Sequence, residues 1–249
     1  MTLADARVRK GADANDVDLL LAADAVSLFM NRLRHSAQFH FVVSGGSVAQ
    51  RALPEIVKAG NTVGLDWGRL HIWFADERFA PRGHEDRNAS LIMMALRQAP
   101  GFFASQLHIP AASDAGVSLD EAAASYQREV QRYVPNGADR MTPMFDLVLL
   151  GMGPDGHTAS LFPGHEAVDL SDVLVAPVRN SPKPPAERVT LTYPAINSAA
   201  HVWVYATGEG KREALELARS GAAASESPVG AVAARDEVVL YADAAAIGE

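Results

Sequence analysis

Cysteine is absent from the 249 residues, which excludes disulfides, thiolate metal ligands and cysteine nucleophiles together. Positive charge is also short: 22 Lys and Arg face 30 Asp and Glu, a formal charge of −8. A chain of that sign does not grip nucleic acid or an anionic membrane through its overall field, so neither partner is expected. No apolar run approaches the roughly 20 residues that cross a bilayer. The opening residues, MTLADARVRKGADANDVDLLLAADAV, lack the basic-then-apolar pattern of a secretory signal. A cytoplasmic protein is the expectation. Internal repeats and low-complexity linkers are missing too. With 48% hydrophobic and 21% charged residues, the chain has the composition of a folded globular protein rather than a disordered or fibrous one. One domain over residues 1–249 is expected.

Short apolar runs alternate with amphipathic stretches. Residues 16–34 read as a helix, because Val17, Leu20, Leu21, Ala25, Leu28, Phe29 and Leu33 recur near the 3.6-residue period. Phe39–Val43 reads as a strand running into Ser44, Gly45, Gly46 and Ser47, followed by a helix to about Lys58. Residues 71–75 form the next buried strand and end at Asp76, Glu77 and Arg78. Helices are predicted over 88–98, Leu119–Tyr133 and 210–220. Further strands are expected at 107–109, 145–150, 173–177, Arg188–Leu191, 201–205 and 238–241. Residues 145–150 are continuous in Leu and Val, the mark of a central parallel strand. This alternation predicts an α/β fold with a mostly parallel sheet flanked by helices. Ligands bind such sheets beyond the carboxyl ends of the strands, and the suggestive clusters all follow strands.

Ser44, Gly45, Gly46 and Ser47 join a strand to a helix. Two glycines let backbone approach a ligand, and N–H groups at a helix start favour an anion such as phosphate; a tight turn with no ligand reads equally well. The third glycine of a dinucleotide fingerprint and the Gly-Lys-Ser/Thr of a P-loop are both missing. Asp76, Glu77 and Arg78 can hold sugar hydroxyls beside an anion, or form a solvated charged turn. The run Gly151-Met152-Gly153-Pro154-Asp155-Gly156-His157 is more pointed. Three glycines bracket an acid and a histidine at a strand end, and the chain is expected to turn helical beyond it. A helix start there would favour neutral imidazole, the form a general base needs, with Asp155 orienting His157 or meeting substrate. Lys183, Arg188 and Lys211 are surface charges singly; together they are what an acidic protein needs to hold an anion.

These residues resemble a known family. FVVSGGSVAQ, WFADERFAPRGHEDRNASL, DLVLLGMGPDGHTASLFPGH, PKPPAERVTLTYPAINSA and ATGEGKREAL are similar, in order, to the signature blocks of the 6-phosphogluconolactonase family. The resemblance spans residues 41 to about 215. It implies hydrolysis of a phosphosugar lactone, 6-phospho-D-glucono-1,5-lactone, to 6-phosphogluconate, with no organic cofactor and no metal. It also implies a Rossmann-like fold shared with glucosamine-6-phosphate deaminase, ribose-5-phosphate isomerase and CoA transferases. It places the general base at His157, with Asp155 and Arg78 as further catalytic candidates. The family's phosphate and sugar contacts map onto Ser44, Gly45, Gly46, Ser47, Arg78, Lys183, Arg188 and Lys211, and the strand-end pattern of the residues themselves adds Asp76, Glu77 and Gly153 as contact candidates. Val48-Ala49 replaces the family's usual Thr-Pro, and Arg87 stands where a serine often precedes the asparagine.

The residues also separate this family from two rivals. The related deaminase continues its Asp-Gly-His loop into Asn-Glu-Pro, where this chain has Leu161-Phe162-Pro163, and it carries an aromatic residue at the position of Arg78. A sugar-phosphate sensor would carry a helix-turn-helix unit, for which the residues before Phe39 are too few. The sequence leaves monomer and homodimer open, since Met93 and Met94 can pack on a partner or on the core.

Overall fold

Every residue of Phe39–Val43 and Leu70–Phe74, and all of Leu147–Gly151 except its last, is buried. Strands apolar on both faces can only lie in a sheet covered on both sides, which in practice means a parallel one. The computed structural model, which describes residues 1–137 and 142–249, has that architecture.

In chain order the strands are β1 (Arg7–Gly11), β2 (Phe39–Val43), β3 (Leu70–Phe74), β4 (Asp76–Arg78), β5 (Leu107–His108), β6 (Leu147–Gly151), β7 (Val175–Val178), β8 (Arg188–Leu191), β9 (His201–Ala206) and β10 (Glu237–Asp243). The helices are α1 (Ala14–Leu33), α2 (Leu53–Thr62), α3 (Asn88–Leu96), α4 (Leu119–Tyr133), α5 (Tyr193–Ile196), α6 (Arg212–Arg219) and α7 (Ala244–Ile247). Seven strands form one sheet in the order β1-β10-β9-β6-β2-β3-β5, with every neighbouring pair parallel. A small antiparallel sheet, β4-β8-β7, stands beside it.

Local chemistry sets the helices. Asp13 caps α1 by accepting from the N–H groups of Asn15 and Asp16. Ser118 and Glu121 form a reciprocal capping box at the start of α4. Helix α1 packs on α2, α2 on α3, and α4 against β7 and β8. Their buried faces join the strands in one hydrophobic cluster containing Phe29, Phe41, Trp73, Phe145 and Tyr241. Among the described residues no helix is long and apolar enough to cross a membrane.

The topology positions the site. From β2 the chain moves outward to β3 and β5, then returns to β6 on the other side of β2. The β2/β6 junction is therefore a switch point, where loops leave neighbouring strands in opposite directions and a crevice opens.

Four sequence expectations change. Strand β1 is unforeseen, because Arg-Val-Arg-Lys-Gly carries almost no apolar signal and is held by pairing with β10. Asp76–Arg78 is a strand, not a turn, because β8 pairs with it in the register Asp76↔Thr190 and Arg78↔Arg188. The segment after Ser47 opens as a π-helical turn, Val48–Ala52, before α2. No helix follows His157. Thr158 and Leu161 bridge a tight turn instead, and the next helical piece is a 3₁₀ turn at Glu166–Asp169.

Candidate active site

Residues from four strand ends line a cavity of about 270 Å³ at the carboxyl edge of the sheet. Ser44, Gly45, Gly46 and Ser47 come from beyond β2, Gly153 and His157 from beyond β6, and Asp76 and Arg78 from β4. Lys183 and Arg188 enter from the small sheet, and Lys211 from the turn before α6. Thus residues scattered over more than 160 positions meet because their strands are neighbours.

The loop after β6 is built around its glycines. Thr158 Oγ1 donates to the carbonyl of Gly151 at 2.8 Å, and the Gly153 N–H donates to the carbonyl of His157 at 2.9 Å. A side chain at Gly153 would overlap both the His157 ring and the Asp155 carboxylate. Gly156 takes φ = +78°, open to glycine at little cost. The fold-back lays Nδ1 of His157 2.5 Å from Asp155 Oδ1. That contact assigns the proton to Nδ1, and leaves Nε2 as the nitrogen with a free lone pair. Asp155 itself does not line the cavity; it stands behind the histidine.

Lys183 Nζ lies 3.2 Å from both oxygens of Asp155 and 3.1 Å from His157 Nδ1. Burial pushes the Asp155 carboxyl up, but His157 and Lys183 more than reverse this and hold it at about 2. Burial also pushes the His157 imidazole down, against the pull of Asp155 and with help from the Lys183 charge. The imidazole is therefore neutral near pH 7 through burial, not through a helix dipole as the sequence suggested. Its ring stacks on the fully buried Phe162, centroids 4.6 Å apart.

Asp76 faces the cavity from β4. Its Oδ2 accepts from the hydroxyl of Ser160 at 2.7 Å and lies 3.7 Å from Arg188 NH1. Much of the Arg188 guanidinium is used internally: it donates to the carbonyls of Lys183, Pro184 and Pro185. Arg188 thereby holds the Lys183 loop as well as lining the cavity. Arg78 donates through NH1 to the Asp86 carbonyl, while its buried Nε has no partner. Ser44 Oγ is likewise buried without a partner. Burial and the nearby Lys183 lower the Lys211 ammonium, with Asp155 opposing. Four cationic side chains thus converge in a chain of net charge −8, a local field suited to an anion. Among the described residues no group of three or more His, Asp or Glu is arranged to hold a metal ion.

Glu77 is a correction. Its carboxylate is buried away from the cavity and caps α3, accepting from the N–H groups of Asn88 and Ala89 at 2.9 Å each. Arg87 Nε lies 3.5 Å behind it and ties this corner to Ala80 and Pro110. Asn88 and Ser160 are residues the sequence did not single out. Asn88 lines the cavity, donates to the Asp76 carbonyl at 2.9 Å, and presses against Gly45 so closely that any side chain at Gly45 would overlap its amide. The asparagine in HEDRNASL was the visible signal for the first, but the 84-residue separation of Ser160 from Asp76 hid the second.

A profile of the family described as glucosamine-6-phosphate isomerases/6-phosphogluconolactonase matches residues 12–241. The chain belongs to this family. Among its relatives, "6-phosphogluconolactonase 3, chloroplastic" of Arabidopsis thaliana is 40% identical over 214 residues, covering 82% of this chain and 63% of the relative. The "6-phosphogluconolactonase" of Streptomyces coelicolor is 37% identical over 210 residues, covering 84% of this chain and 80% of the relative. The crystal structure of 6-phosphogluconolactonase from Leishmania guyanensis superposes with a TM-score of 0.79 at 26% identity, covering 97% of each chain. The chain therefore spans just under two thirds of the plant relative's length. All cavity residues lie inside the span matched by the isomerase/lactonase family, whereas β1 lies outside it.

Proposed function

We propose that the chain hydrolyses 6-phospho-D-glucono-1,5-lactone to 6-phosphogluconate, the lactonase step of the pentose phosphate pathway. The activity carried in the names of its relatives is brought to this chain by one observation above the others: the His157–Asp155 pair. Nδ1 is committed to a carboxylate, and the imidazole is held neutral in a cavity lined with cations. In this reading Nε2 of His157 takes a proton from a water as that water's oxygen attacks the lactone carbonyl carbon. The carbonyl π electrons move to oxygen, and Arg78 stabilises that oxyanion. The tetrahedral centre collapses, the bond to the ring oxygen breaks, and the imidazolium returns its proton to the leaving oxygen. Asp155 keeps the tautomer and offsets the transient charge.

The phosphate falls to Lys211, Arg188 and the Ser44–Ser47 backbone, which fixes the carbonyl over the water. Asp76, held by Ser160, is left to accept from a sugar hydroxyl. A ring-opening isomerase or deaminase would need a carboxylate where Phe162 stands, and Phe162 instead closes the back of His157 with an apolar face. Freshly generated 6-phosphogluconolactone tests the reading: hydrolysis well above the spontaneous rate is expected. No excess over that rate, with ammonia released from glucosamine 6-phosphate, would replace it with the deaminase.

A further inference from the structure

Behind the glycine loop lies a partly buried ionic network that the catalytic reading does not use. Arg51 sits in the π-helical turn Val48–Ala52, which continues directly from Ser47. Its NH2 donates to Asp18 Oδ2 at 2.7 Å and to Asn15 Oδ1 at 3.0 Å, and its Nε reaches the Tyr205 hydroxyl at 3.4 Å. The Tyr205 hydroxyl in turn donates to Asp18 Oδ1 at 2.7 Å. Both oxygens of a carboxylate only 4% exposed are therefore taken, one by each partner. None of the three residues lines the cavity.

The network joins the two loops that form the site. Tyr205 lies opposite Gly151 in the β6–β9 register, at the point where the His157 loop departs. Val48, the first residue of the π turn, packs toward Gly151 from the other side. Asp18 anchors both to the first turns of α1. The segment being held includes the π turn Val48–Ala52, a wide, weakly favoured form that persists where surroundings impose it. The N–H groups of Gly45, Gly46 and Ser47 head a helical segment, where no preceding carbonyl is in reach. Their direction is set by how that π turn is held.

We infer that Arg51, clamped by Asp18 and Tyr205, is a positioning residue that sets the glycine loop's N–H groups for the substrate phosphate. This rests on the lactonase reading for the identity of the ligand. The geometry also explains why arginine stands here. One planar fork serves three acceptors on α1 and β9, which a lysine ammonium on a flexible stem cannot match.

Arg51→Lys retains the charge beside the buried Asp18, and Tyr205→Phe removes one hydroxyl. Arg51→Lys is expected to raise KM for 6-phosphogluconolactone about tenfold, the size of one charge-assisted hydrogen bond misaligned, with kcat within about twofold. Tyr205→Phe should shift KM the same way by less. Calorimetry with 6-phosphogluconate and with gluconate separates the two readings, because it needs no turnover. Weakened binding of the phosphorylated acid alone supports the positioning role even if lactonase turnover fails. Equal weakening of both acids, or unchanged binding with only a lower Tm, overturns it and leaves Arg51 as a structural tie.

Discussion

The strands β2 and β3 carry a histidine cluster at one end and the cavity at the other, and the contrast separates two kinds of buried histidine. Beside their amino ends His40 stacks on His71 and His71 on His108 of β5, and Trp73 stacks on His108 with ring centroids 3.7 Å apart. Trp73 Nε1 donates to His40 Nδ1 at 3.2 Å, His71 Nδ1 meets His108 Nε2 at 2.9 Å, and His108 Nδ1 meets Glu129 at 2.6 Å. Burial pushes His40 down to about 3, and it pushes His71 down as well. His157 is lowered by the same cause. A depressed imidazole is therefore common to both regions and identifies neither as a site. The difference is access. At the amino end His71 and His108 bond one another, His40 accepts from Trp73 through Nδ1, and its Nε2 is sealed in the core without a partner, the ring being only 1% exposed. His157 spends one nitrogen on Asp155 and keeps the other in a cavity of cations.

Deleting one histidine from each region tells the two apart. His157→Ala is expected to lose about 10²–10⁴-fold in kcat/KM, the usual weight of a general base. His40→Gln, which keeps an acceptor for Trp73, should leave kcat/KM within about twofold at pH 7. Steady-state hydrolysis with the spontaneous rate subtracted measures both. Comparable losses in the two variants would erase the distinction.

A smaller effect comes from the cavity's glycine loop. Gly45→Ala drives a methyl into the Asn88 amide. A shift of about 1 Å in the loop can cost up to about 10²-fold in rate. The double variant Gly45→Ala/Asn88→Ala should recover part of it. Failure of the second change to restore anything would place the damage elsewhere.

The amino-end cluster shows itself in acid stability instead. Folded His40 stays neutral, whereas the unfolded chain takes up a proton below about 6.5. The unfolded state then binds more protons, so stability is full above that pH and is lost as pH falls toward about 3. The slope approaches about 1.4 kcal/mol per pH unit for one such group. Urea melts at several pH values should show this slope, and His40→Gln should flatten it. An equally steep slope in the variant would assign the acid sensitivity to other groups. The smallest effect expected is at Met94, 62% exposed on α3. Met94→Ser should change stability by no more than about 0.5 kcal/mol.

Much of this arrangement was legible in the chain, for reasons that also mark the limits. Phe39–Val43, Leu119–Tyr133 and Arg188–Leu191 stand where periodicity and apolar content placed them, since each carries its own local signal. Strand β4 does not: Asp-Glu-Arg becomes extended only because β8 pairs with it. The residues gathered at the cavity followed strand ends, a rule of parallel sheets that needs no coordinates. Glu77 shows where that rule stops. Alternate residues of a short strand face opposite ways, so Asp76 reaches the cavity while Glu77 caps a helix behind it. The neutrality of His157 was foreseen for the wrong reason, because Thr158 and Leu161 close a bridge turn where a helix was expected.

The most direct test of the central claim is kcat/KM for 6-phosphogluconolactone against pH in wild type and His157→Ala. Wild type is expected to show an acid limb with its inflection below the ordinary histidine value of 6.5, as burial lowers His157. In the variant the limb should vanish together with most of the rate. An acid limb that survives in His157→Ala at near wild-type rate would contradict it and move the base to another group.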